Sequence, residues 1–260
     1  MKKYAYIDFP RAKSIVVSGD IHGDIEPLVN KCCVQYGMTD TLIIVAGDCG
    51  FGFERPGYYE AVYKRCSNKL SKSNNWLAFV RGNHDNPAYF DNPPVKHRRW
   101  MALKDYSVVK ACGHTILCVG GATSIDRTQR MESKHYRQQK EDNPFVPNVY
   151  WVNEQPVYDE EKLDAINENF AIDTVVTHTS PSFCELSSHF ALENWAMHDD
   201  RLIDDVRRER KVMDELYNFL YIKSHPVSCW YYGHFHESWH AKIDDVMFHM
   251  LDIMELIEIR

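Results

Sequence analysis

Short apolar runs in this chain stop again and again at a small polar cluster, and that repeated design limits the fold more than any other feature. The clearest case is Trp76–Asp85, WLAFVRGNHD, where Trp76 to Val80 ends in Arg81-Gly82-Asn83-His84-Asp85. Ser14–Ser18 (SIVVS) runs into Gly19-Asp20-Ile21-His22-Gly23, and Thr41–Ala46 (TLIIVA) into Gly47-Asp48-Cys49-Gly50. Asp173–Thr177 (DTVVT) runs into His178-Thr179-Ser180-Pro181, and Val227–Tyr232 (VSCWYY) into Gly233-His234-Phe235-His236. Short uninterrupted apolar runs are expected of strands covered on both faces. An amide, an imidazole and a carboxylate side by side at the end of such a strand suit chemistry better than packing.

Helical patterns alternate with these runs. Asp24 is placed to cap a helix that carries Ile25, Leu28, Val29, Cys32 and Tyr36 on one face. Gly57–Ser71 has Tyr58, Val62, Cys66 and Leu70 at helical spacing. Asp159 can cap a helix with Leu163, Ile166 and Phe170, and Asp200–Tyr221 carries Leu202, Val206, Met213, Tyr217 and Leu220 along one side. Tyr106–Lys110 and Thr115–Val119 read as strands turning at Cys112-Gly113. Trp239–Ile243, Val246–Leu251 and Met254–Ile259 read as an antiparallel finish, with a turn at Asp244-Asp245. Two polar stretches, 121–158 and 182–199, read as irregular excursions, the first with one short helix near 129–139. The expectation is one α/β domain over residues 1–260.

Composition excludes several classes of function. Over 260 residues, 44% are hydrophobic and 26% charged, as in ordinary globular chains. A formal net charge of -7 argues against generic binding to nucleic acid or anionic membranes. The eight cysteines form no CxxC pair, so free thiols in a reducing compartment are expected. No apolar run nears the roughly 18 residues of a membrane span, and no signal peptide is evident. A cytoplasmic protein of unspecified oligomeric state follows.

Ligands of open α/β sheets bind beyond the carboxyl ends of the strands. Alternation along extended chain puts residues two apart on one side, so Asp20 with His22, and His234 with His236, can converge. Asp20, Asp48, Asn83, His22, His178, His234 and His236 together make a mixed oxygen and nitrogen shell. Such donors suit Mn, Fe, Zn or Co rather than Ca or a thiolate zinc site. They are too many for one tetrahedral ion and fit two ions that share a carboxylate.

In order and spacing, Gly19-Asp20-Ile21-His22-Gly23, Gly47-Asp48, Gly82-Asn83-His84-Asp85, Thr177-His178 and Gly233-His234-Phe235-His236 resemble the signature of calcineurin-like metallophosphoesterases. The resemblance implies a four-layer α/β/β/α sandwich with a dinuclear metal site at the strand ends. It implies that Asp20, His22, Asp48 and His236 hold one ion, and that Asp48, Asn83, His178 and His234 hold the other. The ions would be divalent or trivalent transition metals, manganese first, with iron, zinc, cobalt or nickel as alternatives. His84 would be the catalytic histidine, supported by Asp85. The implied reaction is hydrolysis of a small phosphomonoester or phosphodiester, a nucleotide among the candidates, by a hydroxide bridging the metals. Metal binding lowers the pKa of water from 15.7 to about 7.

The second motif continues Cys49-Gly50-Phe51-Gly52-Phe53 where the protein phosphatase branch carries an arginine, and the third ends in Asp85. Both departures favour a phosphodiesterase-like enzyme over a protein serine/threonine phosphatase. A non-catalytic interaction module on the same fold is disfavoured because every donor and His84 is present. Arg127 and Arg130, in the first excursion, are candidates to grip a phosphoryl group. His189, Trp195 and His198, in the second, read as packing residues.

Overall fold

The computed structural model describes residues 4–93, 95–143, 148–184 and 189–260. The parts of the two excursions at 144–147 and 185–188, and Pro94, lie outside the described residues, as does the side chain of His189. The strands are β1 (Tyr6–Asp8), β2 (Ser14–Ser18), β3 (Thr41–Val45), β4 (Trp76–Phe79), β5 (Trp100–Ala102), β6 (Ser107–Ala111), β7 (His114–Val119), β8 (Thr174–Thr177), β9 (Cys229–Tyr232), β10 (Trp239–Ile243), β11 (Val246–Met250) and β12 (Leu256–Glu258). The helices are α1 (Ile25–Asn30), α2 (Pro56–Lys72), α3 (Ala88–Asp91), α4 (Arg127–Glu132), α5 (Lys134–Asp142), α6 (Glu160–Asn167), α7 (His189–Ala196) and α8 (Leu202–Ile222). No helix among the described residues is long and apolar enough to cross a membrane. All eight cysteines are unpaired.

Two sheets form, in strand order β12-β2-β3-β4-β5 and β1-β6-β7-β8-β9-β11-β10. Side-chain alternation sorts the apolar runs into three packed zones. Leu42, Ile44 and Ala46 of the first sheet meet Val109, Ile116, Cys118 and Val176 of the second between the sheets. Ile43, Val45, Leu77 and Phe79 face outward onto α1 and α2 through Leu28, Val29, Tyr59, Val62 and Leu70. On the far side Leu117, Val175, Trp230 and Phe248 pack on α6 and α8 through Leu163, Ile166, Met213 and Leu216. The result is helices, sheet, sheet, helices, the four layers expected. Because each sheet is buried on both faces, its central strands carry no polar alternation until they end.

Several local expectations change. Asp24 stands at the start of α1 but its side chain makes no capping bond, and α1 passes into a π-helical stretch, Lys31–Gln35. That wider turn rotates the apolar face, so Tyr36 is exposed rather than packed. In α2 it is Tyr59 that is buried while Tyr58 faces solvent. The excursions are not wholly irregular, since they hold α4, α5 and α7. The expected antiparallel finish is also corrected. β10 and β11 form that hairpin, but β11 lies parallel to β9, and β12 crosses to the other sheet beside β2. There Met254 N donates to Asp20 O at 2.9 Å, so the chain's end braces the first polar cluster.

Candidate metal centre

β2, β3 and β4 of one sheet and β8 and β9 of the other all finish along one edge, where the sheets face each other. Asp20 and His22 follow β2, and Asp48 follows β3. Asn83 and His84 follow β4, His178 follows β8, and His234 and His236 follow β9. Turning so sharply takes unusual backbone. His22 (φ 45°), Asp48 (φ 45°), His234 (φ 72°) and His236 (φ 53°) all lie in the left-handed region, which costs an L-residue roughly 1–2 kcal/mol. Strain of this kind persists where a site over-determines it. The close approach also fixes two glycines: a Cβ on Gly82 would overlap Asp48, and one on Gly233 would overlap the Asp20 carboxylate.

Asp20, His22, Asp48 and His236 form the first donor set, each with one ligand atom within 4.8 Å of the others. His236 Nε2 lies 3.0 Å from Asp20 Oδ2 and 3.1 Å from His22 Nε2. Asn83, His178 and the same Asp48 form a second. His178 Nδ1 donates to Ala46 O at 2.7 Å, tying the two sheets together. That bond leaves Nε2 facing Asn83 Oδ1 at 2.9 Å and Asp48 Oδ1 at 3.2 Å. The His234 ring stacks edge-on against His178, with centroids 4.9 Å apart, and its backbone N–H donates to Asp20. The structure therefore brings together all seven residues proposed from sequence, around Asp48 at the centre.

The electrostatics ask for cations. Burial opposes ionising Asp48, yet His178, His84 and His22 around it hold its carboxyl well below the usual range. Burial would lower His178, but Asp48 and Asp20 push it up to about 10. His234 falls well below its ordinary value through burial and the neighbouring His178. With Asn83 and Asp48, His178 Nε2 would hold a cation in place of a proton. Buried acids, lone pairs aimed at one another and a neutral amide make a donor set that fits two cations sharing Asp48.

His84 stands beside this set. Its backbone N–H donates to Asp48 Oδ1 at 2.8 Å, and its ring lies 5.4 Å from that of His22 and 6.1 Å from Phe53. Burial lowers its pKa, Asp48 opposes that, and the positive charge of Arg130 adds to it. Asp85, expected to support His84, accepts from the N–H groups of Gly82, Cys49 and Phe51 at 2.8, 3.0 and 2.8 Å. It clamps the turn after β4 to the loop after β3, and burial raises its carboxyl to about 6.

The two arginines part company. Arg127 is 4% exposed and fully engaged by Asp199 and Asp205, with its closest contacts at 2.6 Å. It pins α4 to the start of α8. Arg130 donates to Val149 O at 2.8 Å, and its Nε lies 2.8 Å from Asp126 Oδ1. Its Nη2 is buried with no hydrogen-bond partner among the described residues.

Two buried carboxylates near the site carry no sequence signal. Glu154 accepts from Ser124 N at 2.7 Å and Ser124 Oγ at 2.6 Å, while Ser124 Oγ accepts from Asn83 Nδ2 at 2.9 Å. Burial pushes Glu154 up to about 8 against the pull of Ser124, Arg130 and Arg127. Glu209, on α8, accepts from Thr123 N and from the hydroxyl of Thr179, the residue after His178.

A family model for calcineurin-like phosphoesterases matches residues 13–238. No curated protein matches the chain in sequence. Similar solved structures include a phosphopantetheinyl hydrolase from Mycobacterium tuberculosis, 14% identical over 92% of this chain and 89% of that one, with a TM-score of 0.48. A dimetal phosphatase from Danio rerio is 12% identical over 94% of this chain and 88% of that one, with a TM-score of 0.47. A putative 5'-nucleotidase from Staphylococcus aureus is 13% identical over 92% of this chain and 48% of its own, with a TM-score of 0.45. The matched span begins just before β2 and ends just past His236, enclosing every donor described above. The chain belongs to the calcineurin-like phosphoesterase family of metal-dependent hydrolases.

Proposed function

We propose that this protein hydrolyses a small phosphomonoester or phosphodiester at the edge shared by its two sheets. The observation that supports this best is the position of Asp48, which belongs to both donor sets and accepts from the backbone N–H of His84. Asp20, His22, Asp48 and His236 would hold one ion, and Asp48, Asn83, His178 and His234 the other, manganese being the first candidate. Two bound ions would supply Lewis-acid activation of water and compensate charge on phosphoryl oxygens.

The protein's own groups do the rest. His84 stands where it can give a proton to the departing oxygen. Asn83 completes its donor set without adding a negative charge that would repel phosphate. Arg130 Nη2, buried and free of a hydrogen bond among the described residues, is suited to a non-bridging phosphoryl oxygen. Phe53, half-buried beside His84 and backed by Trp151 at 5.1 Å, gives the leaving group a flat apolar wall. That favours an ester with an aromatic or nucleoside leaving group.

The test is a kinetic comparison on a chromogenic aryl phosphate ester. Arg130→Ala should raise KM about ten- to hundredfold, the size of one hydrogen bond to a charged group. Arg127→Ala should leave KM near the parent value and instead destabilise the fold by about 2 kcal/mol, because the partly buried Asp199 and Asp205 lose the charge they share. Unchanged KM in Arg130→Ala would contradict the assignment.

A further inference from the structure

An amide has two ends, and only the oxygen end of Asn83 can bind a cation. Two geometries are open to that side chain, and nothing in Asn83 itself selects between them. The selection comes from behind. Ser124 N–H and Ser124 Oγ–H both donate to Glu154, at 2.7 and 2.6 Å. With Glu154 ionised and the Ser124 proton spent on it, the Ser124 hydroxyl can only accept from Asn83, so the amide NH₂ turns to Ser124 at 2.9 Å. Asn83 Oδ1 is then left facing His178 Nε2 at 2.9 Å.

We infer that Glu154 and Ser124 are positioning residues for the second cation, a relay whose hydrogen-bond polarity sets which end of Asn83 faces it; this rests on the two-ion reading above. Glu154 is fully buried, yet it lies in the connection after α5, far in sequence from any strand end. Its backbone is fixed by Arg81, which donates to Glu154 O at 2.5 Å, and by its own N–H on Trp151 O at 3.1 Å. Ser124 is steadied in turn by Thr123, whose N–H donates to the buried Glu209. A buried carboxylate held this firmly, with both oxygens on one serine, has no packing role that an apolar side chain would not fill better. Groups that orient metal ligands in this way typically change metal affinity about 10- to 100-fold when lost.

Reversing the relay tests it. In Glu154→Gln the Ser124 N–H keeps the amide oxygen, so the new NH₂ donates to Ser124 Oγ. The Ser124 proton must then turn toward residue 83, which favours the inverted amide. In Asn83→Asp residue 83 only accepts, so the same reversal becomes compatible. Metal-stripped full-length chains would be titrated with Mn²⁺ by calorimetry above pH 8, where Glu154 is ionised, with spin-coupled electron paramagnetic resonance reporting the two-ion state. Glu154→Gln should weaken the second ion at least about tenfold with Asn83 present, and leave it unweakened in the Asn83→Asp background. Ser124→Ala should weaken it similarly, and Ser124→Thr, which keeps the hydroxyl, should restore it. Equal losses from Glu154→Gln in both backgrounds, or Ser124→Ala indistinguishable from Ser124→Thr, would overturn the relay. A parent chain that takes up two ions while these variants match it sinks the relay alone. A parent that takes up one ion overturns the two-ion reading and the relay with it.

Discussion

Asp48→Asn is expected to cut turnover of any phosphate ester about 10³-fold or more and to lower metal uptake from two ions to one. Asp48 is the residue common to both donor sets, with His178 Nε2 3.2 Å from Oδ1 and His22 Nδ1 3.8 Å from Oδ2. Lewis-acid stabilisation by a bound ion contributes several kcal/mol to a phosphoryl-transfer transition state, and each ~1.4 kcal/mol is tenfold in rate. The asparagine is close to isosteric, so the Gly82 approach and the His84 N–H contact are retained. Metal content by elemental analysis, measured beside kcat, separates this effect from unfolding. An Asp48→Asn protein that holds two ions and keeps its rate would refute the bridging role.

His84→Ala is expected to behave in the opposite way, keeping both ions and losing about 10²- to 10⁴-fold in rate. Its ring approaches those of His22 and Phe53 but belongs to neither donor set. The loss should depend on the leaving group. A good leaving group such as nitrophenolate needs little protonation and should suffer least, and an alkyl or ribosyl oxygen should suffer most. Asn83→Ala, one residue away, should instead weaken the second ion. An equal loss for both leaving groups would remove the proton-donor role from His84.

The strand-end residues were legible in the sequence because each sits where a buried run stops. The interior strands β2, β3, β4, β8 and β9 carry no charged, amide or imidazole side chain, so Asp20, Asp48, Asn83, His178 and His234 announce themselves by position. Partners across space were not legible. Arg127 and Arg130 share one short helix, and what separates them is Asp199 and Asp205, more than 70 residues downstream. Glu154 is an isolated acid in WVNEQP, and its role depends on Ser124, 30 residues earlier. Asp85 looked like a partner for its neighbour His84, but its carboxylate turns back onto backbone amides that pattern alone does not locate. Alternation identified the last strand near Met254–Ile259 but not the sheet it joins, because a period of two is the same beside any neighbour. The π-helical turn after α1 likewise has no spacing signature, and it moved Tyr36 off the packed face.

The most direct measurement is a titration of the metal-free chain with Mn²⁺ while hydrolysis of a chromogenic phosphodiester and bound metal are followed together. Two donor sets joined through Asp48 require rate to appear with the second equivalent and to level off at two ions per chain. Full activity at one equivalent, or no hydrolysis at two, would contradict a two-ion phosphoesterase.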